Sequence, residues 1–187
     1  MVLSDVKRYQ GLPQIVEAVK PSHVVIAGDV LYDGKGQVYV NENGEVVEGN
    51  THEDRELLKR HMDALRAFLY ESLDKGVEQV LLVYGDHDVD ENVNFRELIK
   101  SWGLEPRRVV DVSSPIHIDV NNISVFFLPY IQSFEELRWV LRESRSVLEA
   151  ADVFITHLEL SKLRVVAWHL QKRRYPILLV SGHHGYG

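Results

Sequence analysis

An α/β sandwich is the fold class predicted by this chain of 187 residues, and three observations predict it. Several apolar runs of four to six residues are rich in Val, Ile and Leu, and such runs read as strands buried on both faces. Between most of them lie segments whose apolar residues recur at helical spacing, the alternation that indicates helices packed on sheets. A β-rich middle supplies a second sheet or an extension of the first.

The elements follow in order. A strand runs to Ser4, a helix covers about Leu12–Lys20, and a second strand ends at Gly28. The segments Gln37-Val38-Tyr39-Val40 and Glu45-Val46-Val47 flank Asn43-Gly44, a strong hairpin signal, so a β-hairpin insertion is expected near 36–48. From Glu53 to Lys75, Leu57, Leu58, Met62, Leu65, Phe68, Leu69 and Leu73 fall on one helical face, and Gly76 closes the helix. A strand ending at Gly85 is followed by a helix over Phe95–Trp102. The β-rich stretch comprises Val109–Val112, Ile116–Val120 and Ile123–Leu128, with a turn at Asn121-Asn122. A helix near Phe134–Ala150 leads to a strand ending before His157, and another over Lys162–Arg173 leads to the last strand, ending before His183. Trp102, Trp139 and Trp168 lie on helical patterns and are expected in the core.

With 45% hydrophobic and 26% charged residues, a single domain over 1–187 is expected. The absence of cysteine excludes disulfides and thiolate metal sites, so any metal is held by oxygen and imidazole nitrogen. Apolar runs are too short to span a membrane and no signal peptide is evident, which leads to an expected cytoplasmic location and no membrane partner. The net charge of −7 is unevenly spread: residues 137–187 carry 8 Lys and Arg against 4 Asp and Glu. Arg138, Arg142 and Arg145 read most simply as the solvated face of a helix, although the pattern also permits a nucleic-acid substrate.

Five strands end on residues that bind divalent metal: Asp5, Asp29, Asp86-His87-Asp88, His157 and His183-His184. Ligands of α/β folds gather beyond the carboxyl ends of strands, so these groups converge on one edge. Adjacent side chains of an extended segment point in opposite directions, which favours His183 over His184 as a ligand. The other histidines, His23, His52, His61, His117 and His169, read as structural or exposed.

The order Asp5-Val6-Lys7, Gly28-Asp29, Gly85-Asp86-His87-Asp88, Thr156-His157 and Gly182-His183-His184-Gly185 resembles the signature of the calcineurin-like metallophosphoesterases. Within that family the chain looks most like nuclease subunits of the SbcD type, through Ile123–Tyr130 and Ala151–His157. The resemblance implies two β-sheets flanked by helices, here shortened at the C-terminus. It implies a phosphodiesterase or nuclease using metal-activated water, with His87 as general acid and Asp88 beside it. Asp5, Asp29, Asp86, His157, His183 and His184 are the implied metal ligands. Manganese is the expected cofactor, with iron, zinc or magnesium as alternatives.

The chain departs from the family pattern at Lys7 and Gly185, where two histidine ligands of one metal position would stand, and at Asp86, where asparagine is usual. One tight and one weak or absent metal site are therefore expected, with Lys7 offering fixed positive charge to the substrate. The expected partners are a phosphodiester, with nucleic acid among the candidates, and a protein that could complete the site. The rival readings are a small-molecule phosphatase and a degenerate phosphoesterase fold kept as a protein-interaction module, as in the retromer subunit of this fold.

Overall fold

In the computed structural model, residues 1–4, 6, 9–31, 39–40, 46–48, 52–90, 94–171 and 177–182 are described. The apolar runs form two four-stranded sheets flanked by helices. The first sheet is wholly parallel, in the order β1 (Val2–Leu3), β2 (His23–Ala27), β5 (Gln79–Val83), β6 (Val109–Val112). The second runs β10 (Leu178–Ser181), β9 (Val153–Thr156), β8 (Ile123–Leu128), β7 (Ile116–Val120), with only β7 antiparallel to its neighbour. Short strands β3 (Tyr39–Val40) and β4 (Val46–Glu48) pair antiparallel as the hairpin signal predicts, and its Asn43-Gly44 turn lies outside the described residues.

Strand periodicity decides which side chains meet. Alternate residues of a strand face opposite ways, so Val24 and Ile26 of β2, with Val80 and Leu82 of β5, pack on α1 (Leu12–Val19), α2 (His52–Asp74) and α4 (Phe95–Ser101). Their neighbours Val25, Ala27, Leu81 and Val83 face the second sheet and meet Val125, Phe127 and Ile155. On the far side, Phe126, Leu128 and Phe154 pack beneath α5 (Phe134–Glu143), α6 (Arg145–Ala150) and α7 (Leu160–Leu170). Strands apolar on both faces are what a layer order of helices, sheet, sheet, helices requires. Burying one such side chain contributes about 1.5–3 kcal/mol.

Two local expectations are corrected and one element is added. The helix expected over 134–150 is two helices, because the backbone at Ser144 departs from helical geometry (φ −85°, ψ 9°), ending α5 and starting α6. Trp139 of α5 and Trp168 of α7 are more than half exposed, while Trp102 packs against the core beneath the first sheet's helices. Residues Asp86–Asp90 form a short helix, α3, directly after β5. No helix among the described residues is long and apolar enough to cross a membrane.

One buried histidine of the scaffold makes stability depend on pH. His61 of α2 donates from Nε2 to the Val6 carbonyl (2.9 Å) and meets the Tyr9 ring edge-on at 5.5 Å. Burial lowers its pKa below 6.5, against the pull of the Val6 bond. The folded state therefore binds this proton less readily than the unfolded chain. Its contribution is complete above pH 6.5 and fades as pH falls through the folded value. His157 and Asp88, whose pKa values are raised, act in the opposite sense over this range, so the test is a difference: between pH 7.5 and pH 5 the urea midpoint of the wild-type chain should fall relative to that of His61→Gln. An identical pH response in the two chains would assign the pH dependence elsewhere.

Candidate metal centre

Three strand ends bring Asp29, Asp86 and His157 together. β2 delivers Asp29, β5 runs through Gly85 into Asp86 at the first turn of α3, and β9 delivers His157 from the opposite sheet. One ligand atom from each lies within 4.8 Å of the others. His157 Nε2 is 3.5 Å from Asp29 Oδ2 and 3.2 Å from Asp86 Oδ1. Asp29 and His157 are buried, and Asp86 is a quarter exposed, so the cluster opens to solvent on the Asp86 side.

The imidazole is aimed by a backbone group. Nδ1 donates to the Ala27 carbonyl at 2.7 Å, which leaves Nε2 directed at the two carboxylates. Tying down the far ring nitrogen in this way is how proteins orient a histidine ligand. Burial alone would lower the pKa of the ring. Hydrogen bonding to Asp29 and Asp86, with the charge of Asp29 and the Ala27 bond, outweighs burial and raises it to about 10. Two carboxylate oxygens and an imidazole nitrogen around one point suit manganese, iron, zinc or magnesium, and a cation there would replace the proton on Nε2. The donor set fits a metal ion.

Close approach of the strands depends on missing side chains. Gly28 (φ +85°) sits against the His157 side chain, and a Cβ there would overlap the imidazole. Beyond it Asp29 is itself left-handed (φ 47°), and this turn points its carboxylate back toward β5. Asp29 Oδ1 accepts the His87 backbone N–H at 3.3 Å while Oδ2 faces His157, so each oxygen has its own task. A Cβ on Gly182 would run into the Ala27 carbonyl and the Ser4 hydroxyl, and the Ser4 hydroxyl donates to the Gly182 carbonyl.

Asp88, expected beside the catalytic acid, is not brought into this cluster. On a helix, residues two apart point to nearly opposite sides, so Asp86 and Asp88 diverge once α3 forms. Asp88 is fully buried and accepts backbone N–H groups from Gly85 (2.9 Å), Val30 (3.1 Å) and Leu31 (3.1 Å). Burial pushes its pKa up to about 6, against the pull of those three bonds. Its role is to pin the loop after β2, which carries Asp29, onto the start of α3. The bond back to Gly85 spans three residues, as the return bond of a capping box does, although Gly and Asp are not that motif's usual residues. Asp88→Ala leaves buried amides unsatisfied at about 1–3 kcal/mol each. The variant should lose at least about 3 kcal/mol of stability by urea denaturation; a loss below 1 kcal/mol would refute the clamp.

His87 is partly exposed next to Asp86. Asp5, Lys7, His183, His184 and Gly185 lie outside the described residues, although Ser4 and Gly182, the chain neighbours of Asp5 and His183, adjoin the cluster. What the sequence reading missed is the Ala27 carbonyl, because any residue supplies one and no side-chain pattern marks it.

No family model matches the chain, and no curated protein matches it. Among solved structures it is similar to a protein of unknown function from Aquifex aeolicus, with 13% identity and a TM-score of 0.42 over 97% of this chain and 88% of that one.

Proposed function

We propose that this protein is a metal-dependent phosphoesterase of the calcineurin-like kind, acting on phosphodiesters. The observation that carries the reading is the buried Asp29, Asp86 and His157 group, with Nε2 of His157 held toward both carboxylates. Two sheets flanked by helices, and motifs spaced from Asp5 to His183, support it. Asp29, Asp86 and His157 hold the cation, and His183 and Asp5 are the groups the sequence offers to complete its surroundings. A divalent ion bound there supplies Lewis acidity toward a phosphoryl oxygen and lowers the pKa of water.

The remaining chemistry belongs to the chain. His87 stands beside the cluster with its backbone amide fixed to Asp29, and its side chain is the proton donor. A water oxygen forms the new bond to phosphorus while the bond to the leaving oxygen breaks. The leaving oxygen takes a proton from His87, and the attacking water gives one up to solvent. An imidazole suits this task because its ordinary pKa lies near 6.5.

The test is hydrolysis of a bis-aryl phosphodiester as manganese is titrated in, with His87→Ala alongside. Saturable, manganese-dependent turnover is expected, reduced about a hundredfold or more in the variant while its manganese affinity stays the same. Absence of turnover in the folded wild-type chain would overturn the reading. Loss of manganese binding in His87→Ala would make His87 a ligand instead of an acid.

A further inference from the structure

Away from the metal centre, on the outer face of the second sheet, α5 and α7 pack side by side and flank an open cleft of about 630 Å³. Arg138 and Arg142 line it from α5; Arg164, Val165, Trp168 and His169 line it from α7. The spacing explains the convergence. Residues 138 and 142, like 164 and 168 or 165 and 169, are one helical turn apart and share a face. A smaller hollow of about 260 Å³ continues the cleft past Arg142 and Trp168.

Among the described residues, the guanidinium groups of this cleft have no charged partner. None of Arg138, Arg142 and Arg164 makes an ion pair or hydrogen bond with a described residue, whereas nearby Arg145 pairs with Glu149 at 2.8 Å. Two unpaired cations one helical turn apart repel, and here a third faces them across the cleft, in a protein whose net charge is −7. Trp168 is 55% exposed among them, with the His169 ring edge-on to it at 5.0 Å. His169 donates from Nδ1 to the Val165 carbonyl (3.0 Å), which leaves Nε2 as an acceptor.

We infer that this cleft binds a nucleotide unit, with the base stacked on Trp168 and the phosphate on Arg138, Arg142 and Arg164. Guanidinium forks match phosphate oxygens in pairs, and an indole face stacks on any base. The volume falls within the 300–1,000 Å³ typical of small-molecule sites. The His169 Nε2 lone pair can accept an N–H proton from the base edge, whether an imide or an amino group. Base and phosphate together come from a free nucleotide or from a nucleic-acid strand, for which the adjoining hollow offers room for the next residue. The inference does not depend on the proposed hydrolysis.

The test is fluorescence anisotropy with a fluorescein-labelled thymidine octanucleotide and the full chain, in EDTA so that nothing is cleaved. Saturable binding is expected. Trp168→Ala should weaken it about tenfold, while Trp168→Phe, which keeps a stacking face, should retain most of it. Arg142→Gln should reduce the slope of log affinity against log salt by about 0.7. Displacement by adenosine monophosphate would identify a free nucleotide as the ligand, and octanucleotide binding without such displacement would identify a strand. Asp29→Asn should bind equally well, which separates this result from any failure at the metal centre. The inference is overturned by absence of saturable binding, by wild-type affinity in Trp168→Ala, or by equal displacement with polyglutamate, which would make the cleft a surface for acidic peptides.

Discussion

Asp29→Asn should abolish manganese-dependent phosphodiester hydrolysis and weaken manganese binding at least about a hundredfold, the upper end of what loss of a mere supporting partner costs at a metal site. The substitution keeps size and shape, so the loss reports charge. Asp29 Oδ2 faces His157 and Oδ1 accepts the His87 amide, and an asparagine oxygen can serve one of these positions only. Its amide nitrogen would then be turned toward the cation or toward a backbone N–H, both of which it repels. The ring of His157 also loses the charge that raises its pKa. Calorimetric titration of manganese into both chains, beside the hydrolysis assay, measures the two losses separately. Unchanged affinity with abolished turnover would make Asp29 a substrate-facing group; unchanged turnover would remove it from the site.

Gly28→Ala should strongly destabilise the fold. At φ +85° an alanine is strained by roughly 1 kcal/mol, and its methyl would occupy the place of the His157 imidazole. Displacing a packed ring adds roughly 1–3 kcal/mol, for a total of about 2–4 kcal/mol. A matched control exists within the chain. Gly11 has φ +86° with nothing within 4 Å of the position a Cβ would take, so Gly11→Ala should show the backbone part alone. Thermal and urea unfolding of the two variants compares strain with strain plus overlap. Manganese affinity should fall in Gly28→Ala and hold in Gly11→Ala. Equal effects on stability would mean that the imidazole is not seated against Gly28.

Much of the scaffold follows from patterns within a few residues. Val109–Val112, Ile116–Val120 and Ile123–Leu128 carry strand-forming runs with a turn at Asn121-Asn122, and they form strands with those bounds. Strands apolar on both faces already require layers on each side. Three of the ligand candidates, Asp29, Asp86 and His157, are likewise legible as polar residues where apolar runs stop. Helical spacing, by contrast, could not tell a buried indole from an exposed one: Trp139 and Trp168 fit the period and are still more than half exposed, because a helix on a sheet buries only one stripe.

Other features are decided by contacts between distant segments. Whether Asp88 joins Asp86 depends on α3 starting at once after β5, and on the amides of Val30 and Leu31 arriving there. Which nitrogen of His157 faces the carboxylates depends on the carbonyl of Ala27, 130 residues away in the chain. The sequence by itself determined the layers and the groups that can bind a metal, since period and residue type act locally. Only the packing of one sheet on the other decided which of those groups share a point in space, because that is set by where a backbone carbonyl and a bare glycine surface happen to meet a ring.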